Sequence, residues 1–132
     1  EQFQTLGGAW SIDNELAFEF SVEDASVSHN LITHFKYDMS FEYHNFYFQS
    51  TLLGDKDSIL FTQLDEVIFF DRKTGEPLGN GIGGSFDISY PIRSGFQFPE
   101  KGTYKIKYQQ FMRIDSLDNI IKAGFRLEES TI

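Results

Sequence analysis

Tyr104-Lys105-Ile106-Lys107-Tyr108-Gln109-Gln110 is the stretch whose reading decides the fold. At a period of two, Tyr104, Ile106, Tyr108 and Gln110 share one side, and Lys105, Lys107 and Gln109 share the other. A strand with one face in a core and one in water produces that alternation, whereas a helical period would mix the two sets. Gln97-Phe98-Pro99 leads into a turn at Glu100-Lys101-Gly102 just before it.

Working outward, the same period returns. Leu16, Phe18, Phe20 and Val22 alternate with Ala17, Glu19 and Ser21, and Leu31, Thr33, Phe35 and Tyr37 alternate with Ile32, His34 and Lys36. Residues 46–53 are apolar on both faces and read as a central strand. Residues 58–64 and 66–71 read as two strands, or as one long strand with a bulge near Asp65. Arg72-Lys73-Thr74-Gly75 is a tight turn in which Gly75 supplies a positive φ. The glycines that follow, at 79, 81, 83 and 84, predict irregular chain. Residues 88–92 predict a short edge strand, because Pro91 has no N–H for a ladder. Residues 124–128 form the closing strand, and residues 116–122 are the one candidate helix. Seven to nine short strands with a turn about every ten residues predict an all-β, two-layer antiparallel β-sandwich of jelly-roll type. With no linker or repeat, residues 1–132 read as a single domain.

Composition agrees. A chain of 132 residues, 40% hydrophobic and carrying 15 Phe, 6 Tyr and 1 Trp, has the material for a core. A domain of this size buries roughly two-thirds of its unfolded surface without a staple. The formal net charge of −9 argues against a nucleic-acid partner, which needs clustered Lys and Arg. The absence of cysteine excludes disulfides, thiol catalysis and cysteine-based zinc sites. No run reaches the roughly 18 apolar residues of a membrane helix. The start at Glu1-Gln2-Phe3 reads as the mature or trimmed part of a longer precursor.

Chemistry is sparse. His29, His34 and His44 have no metal-pair spacing. Gly79-Asn80-Gly81-Ile82-Gly83-Gly84 resembles a dinucleotide loop only in part and lacks the strand–helix context. Asp65-Glu66, Asp55/Asp57, Asp115/Asp118 and Glu128-Glu129 are paired carboxylates of the kind glycosidases use, but such pairs are ordinary in loops and at strand ends. Asp55-Lys56-Asp57-Ser58 is a fragment of a calcium loop without its glycine and final glutamate. No residue is therefore assigned a catalytic, metal or cofactor role. Two binding features remain. Gly75, Leu78, Gly79, Gly81 and Gly83 form a candidate partner-contact loop, which equally reads as glycines shaping a bulge and a turn. Among Trp10, Tyr43, Phe46, Tyr47, Phe48 and Phe96, the candidates for exposed aromatic contacts are Trp10, Tyr43 and Phe96, with core packing as the competing use.

Five segments in order resemble the gliding-motility lipoprotein GldH family of the Bacteroidota. They are Ala9-Trp10-x-x-Asp13 with Phe18-x-Phe20; Asn30-Leu31 with Asn45-Phe46-Tyr47-Phe48; and Gly75-x-x-Leu78-Gly79-x-Gly81-x-Gly83. Phe98-Pro99-x-x-Gly102-x-Tyr104 then runs on to Gln110-Phe111-Met112-Arg113, and Gly124-Phe125-Arg126-Leu127-Glu128 closes the set. Lys36 stands where the family tends to carry Arg, Lys122 where an acidic residue is usual, and the loop after Arg113 is short. The resemblance implies an exported lipoprotein, acylated on a cysteine upstream of Glu1, lipid-anchored in the cell envelope and facing the periplasm. It implies partners among other envelope lipoproteins and the gliding and type IX secretion machinery, and it brings no catalytic residues. Sequence alone thus favours a non-catalytic envelope assembly protein, with a carbohydrate-binding β-sandwich module as the alternative. A hydrolase, which requires carboxylates converging in a cleft, is the third reading.

Overall fold

The computed structural model describes residues 1–130. Its strands are β1 (Gln2–Thr5), β2 (Ala9–Ser11), β3 (Leu16–Val22), β4 (His29–Asp38), β5 (Asn45–Leu53), β6 (Ile59–Ile68), β7 (Asn80–Ile82), β8 (Ser85–Phe96), β9 (Gly102–Gln110), β10 (Ser116–Asp118) and β11 (Ile120–Glu129). One short 3₁₀ turn, Asp55–Asp57, separates β5 from β6.

The pairing is that of one long antiparallel ribbon folded over on itself. β5 pairs with β6 at its tip, then β4 with β8, β3 with β9, β2 with β10, and β1 with β11. Rolling the ribbon brings β11 against β4 and β5 against β9. The result is two layers in the order β1-β11-β4-β8-β7 and β3-β9-β5-β6, with the β2–β10 pair at one end. This is the jelly roll that the strand spacing predicts, with eleven strands in place of seven to nine because β1, β2, β7 and β10 are too short to show a period.

The alternation read from the sequence lies where the layers meet. Leu16, Phe18 and Val22 from β3, and Leu31, Thr33, Phe35 and Tyr37 from β4, are buried. So are Phe46, Phe48 and Leu52 from β5 and Tyr104, Ile106, Tyr108 and Gln110 from β9. Aromatic rings dominate this core: Phe35 touches Phe46 and Phe48 edge-on at 5.1 Å, and Tyr37 stacks on Phe69 at 4.1 Å. Offset and edge-on pairs of this kind are the favoured aromatic geometries.

Four local expectations change. Residues 116–122 are not a helix but β10 and the start of β11, because Leu117 faces Trp10 across the β2–β10 pair. Residues 59–68 form one strand whose register runs evenly past Asp65; the irregularity falls at Leu52/Leu53. β8 runs from Ser85 to Phe96, with Pro91 facing Ile32 in β4. The glycine cluster is partly regular, since β7 folds back on β8 through Gly83 and Gly84.

Side chains bridge the two layers along both lateral sides. Where β1 passes β3, the Gln2 and Gln4 amides donate to the Glu19 and Ala17 carbonyls at 2.6 Å each. On the opposite side, Gln63 of β6 donates to the Ile92 carbonyl of β8 at 3.1 Å. There the Tyr90 hydroxyl donates to Asp65 at 2.9 Å, and Arg93 donates to the Gln63 amide oxygen at 2.6 Å while lying 4.1 Å from the Phe61 ring centroid.

Candidate functional site

The buried Gln110, the last residue of β9, builds the wall of the site. Its amide oxygen accepts the Met112 N–H at 2.9 Å, and its NH₂ group donates to the Ile114 and Trp10 carbonyls at 2.8 and 3.3 Å. These bonds bend the chain sharply after β9 and set Arg113 at a φ of 62°. The bend returns to β5, where the Phe111 N–H donates to the Tyr47 carbonyl at 2.9 Å and the Tyr47 N–H to the Met112 sulfur at 3.2 Å. Period-two geometry does the rest. With Phe46 and Phe48 in the core, Tyr47 must point outward, and its neighbours on that face of β6 are Glu66 and Leu64.

The outcome is an open groove of about 430 Å³ lined by Tyr43, Tyr47, Leu64, Phe111, Met112 and Arg113. Leu64 is 54% exposed, Tyr43 and Tyr47 38% each, and Phe111 37%, so four large apolar side chains stand in water around one concavity. At its rim, Asn45 donates to Glu66 at 2.7 Å. Arg113 brings a cation to the lining, and Glu66 an anion to the rim.

Tyr43 also lines a second hollow of about 290 Å³, together with Met39, Phe41, His44, Phe70, Arg72 and Gly75. The glycine segment therefore borders this second hollow at its Gly75 end. Asp71 organises that end. Its carboxylate accepts the Lys73 and Thr74 N–H groups at 2.8 and 3.0 Å, and backbone bonds to Thr74 and Lys73 hold its carboxyl below the usual range. Gly75, at a φ of 74°, completes the turn as the sequence predicts.

The other candidates separate. Leu78 is exposed, while Gly79 is pinned: its N–H donates at 3.0 Å to the Tyr37 hydroxyl, which in turn donates to the Phe69 carbonyl at 2.6 Å. A Cβ at Gly79 would lie 2.7 Å from the Asp87 carbonyl oxygen, and one at Gly81 would run into Ser85 and Phe86. These two glycines serve close packing, and Gly83 serves the β7–β8 turn. Trp10 is a correction. It is fully buried in β2, donates to the Asn14 carbonyl at 2.8 Å and packs on Phe46, because β10 covers the position the sequence left open. Phe96 is half-buried against Phe61 and Phe98 near the far end of β6, away from the groove. Tyr43 alone of the three exposed-aromatic candidates reaches the groove.

Leu64, Phe111, Met112 and Arg113 are given no binding role by the sequence, the last three entering only through the family-like segment after Gln110. The available signal was Phe111, a large apolar residue that falls out of phase with the buried face of β9 that Gln110 continues. Among the described residues, no cluster of three or more His, Cys, Asp or Glu side chains is arranged to hold a metal ion. No helix among them is long and apolar enough to cross a membrane.

Fold and groove together define a jelly-roll protein with an apolar, aromatic concavity on the outer face of one sheet. The chain belongs to the GldH lipoprotein family, whose family model matches residues 1–127. It is 22% identical to the gliding motility lipoprotein GldH of Flavobacterium johnsoniae over 98% of this chain and 83% of that protein. It is 25% identical to a gliding motility lipoprotein GldH homolog of Christiangramia forsetii, over 92% of this chain and 78% of that one. No solved structure matches the chain significantly.

Proposed function

We propose that this protein is a non-catalytic docking lipoprotein of the cell envelope, held by a lipid on a cysteine upstream of Glu1 and facing the periplasm. In this reading it binds a protein of the gliding or type IX secretion machinery through the Tyr43–Tyr47–Leu64–Phe111 groove. The observation that carries it is the concentration of four exposed apolar side chains around one concavity on an otherwise acidic chain. Contiguous exposed apolar surface marks an interaction site. Tyrosine and arginine are also the residues most enriched where interface energy concentrates. Two relatives, named as gliding motility lipoproteins, support the machinery as the setting.

The test is a crosslinking pull-down of the lipidated full-length protein from its native membranes, with Tyr47→Ala alongside the unaltered chain. Recovery of gliding or secretion components, reduced about tenfold or more by Tyr47→Ala, is the expected result. A factor of ten corresponds to about 1.4 kcal/mol, the lower range for an interface anchor. Equal recovery with both chains would move docking off the groove, and recovery of neither component would end the machinery reading.

The exposed rings of Tyr43 and Tyr47 beside Arg113 and Glu66 favour one second reading, a carbohydrate-binding module that stacks sugar faces on tyrosine. Glycan binding by this domain that Tyr47→Ala abolishes would establish it in place of protein docking.

A further inference from the structure

The sheet edges differ in how they are guarded. In the five-stranded sheet the outer strands β1 and β7 are only four and three residues long. Beyond β7, β8 carries Pro91 and Gly95 and lies next to register breaks between His29 and Ile32. In the other sheet, β3 is crossed by the Gln2 and Gln4 amides. β6 differs, because its contacts with β8 run through the Gln63 and Asp65 side chains and leave its own backbone groups unoccupied. It is ten residues long, its sequence Ile-Leu-Phe-Thr-Gln-Leu-Asp-Glu-Val-Ile holds no Pro or Lys, and among the described residues its backbone ladder reaches only β5. The free stretch ends where the Leu78 N–H takes the Phe69 carbonyl. Natural proteins blunt long edges with Pro, Lys, bulges or covering elements; β6 has a bulge only near its start, at Leu60, so the stretch from Phe61 to Ile68 is left as a template for another strand.

The side chains of β6 say which strand. We propose that β6 pairs antiparallel with β6 of a second copy of this chain, about a two-fold axis at Leu64, joining two four-stranded sheets into one. In that register Leu64 faces Leu64, Gln63 faces Asp65, Thr62 faces Glu66, and Phe61 faces Val67. Each apolar residue meets an apolar one, and each carboxylate meets a neutral polar side chain and not a second acid. Sliding one pairing step places Asp65 against Asp65 in one direction, and Asp65 against Phe61 with Leu60 against Glu66 in the other. Like charges directly opposite one another destabilise a ladder, and so does an acid set against an apolar partner. Only the Leu64-centred register avoids both among these neighbours. Steps of one residue are not available, because they would turn every side chain to the wrong face. Leu64 also lines the groove, so the pairing is read from oligomeric state and crosslinking register, which the docking reading does not predict.

The chain has no cysteine, so a single introduced thiol reports the register without a background. Directly opposite residues of an antiparallel pair lie about 4.5–5.5 Å apart at Cα, inside disulfide range. Under mild oxidation Leu64→Cys should form a covalent dimer. Thr62→Cys alone should not, but should crosslink when mixed with Glu66→Cys. Sedimentation of the unaltered chain should show a dimer that Leu64→Lys converts to monomer, with the far-ultraviolet circular dichroism spectrum and thermal midpoint of the folded chain retained. A monomer at all concentrations up to the millimolar range overturns the proposal. So does a Leu64→Lys dimer, or thiol crosslinking as efficient at residue 62 alone as at residue 64.

Discussion

Gln110 shows how one buried polar side chain determines a surface. It has no access to solvent, and its amide makes three bonds to backbone groups, two of them in the bend that carries Phe111, Met112 and Arg113. Leucine at this position keeps the approximate volume and removes all three partners. The Met112 N–H and the Ile114 and Trp10 carbonyls then lose their partner, and buried groups left in that state cost about 1–3 kcal/mol each when water cannot reach them. Because the bend lies at the surface, water will reach part of it. Gln110→Leu is therefore expected to destabilise by about 1–3 kcal/mol in urea denaturation and to weaken whatever the groove binds. Gln110→Glu is the instructive companion. It keeps an oxygen for the Met112 N–H but has no N–H for the two carbonyls, so its loss should be at least as large. If Gln110→Leu matched the unaltered chain in both stability and binding, the bend would be held by something other than this amide.

At the scale of elements, legibility follows length. β3, β4 and β9 were readable because seven to ten residues of alternation leave no rival period. β1, β2 and β10, at three or four residues, are too short to show any period, and they exist because the longer strands hold their partners in place. The same absence hid the burial of Trp10, since the strand that covers it was read as a helix. The groove was half legible. Tyr43 and Tyr47 stood out as aromatics, but whether a ring on a strand faces core or water depends on which neighbours also turn inward, and Leu64 and Phe111 become visible only once β5, β6 and β9 are paired. Element pairing also carries a pH dependence. At the β6–β8 side, burial and the adjacent Asp65 raise the Tyr90 phenol to about 12 from its ordinary 10.0. Burial likewise raises Tyr37 and Tyr108. A raised phenol means the folded state favours the neutral form. That contribution is complete below pH 10.0 and is lost as the pH climbs through about 12. The thermal midpoint should therefore fall between these values, and Tyr90→Phe, which cannot ionise, should fall less over the same range. An equal fall in both chains would assign the alkaline sensitivity to Tyr37 and Tyr108 alone.

At the scale of the whole molecule, the rolled ribbon leaves no half that is able to fold by itself. Each layer takes strands from both ends of the chain: β1 with β11 in one, β3 with β9 in the other. The hydrophobic cluster joins Trp10 and Phe18 near the start to Tyr108 and Phe125 near the end. A core closed by such distant partners gains little until most of it is assembled, so intermediate degrees of folding bury too little to offset the chain entropy they give up. We expect residues 1–132 to unfold as one cooperative domain. The chain offers a clean probe, because its single tryptophan is fully buried against Phe46 and paired through β10 to the end of the chain. Trp10 fluorescence, near-ultraviolet circular dichroism and far-ultraviolet circular dichroism should follow one denaturation curve with a common midpoint and slope. If fluorescence instead changed first, the β2–β10 end would be a separate, weaker unit, and the groove wall held through the Gln110–Trp10 bond would open with it before the main sheets.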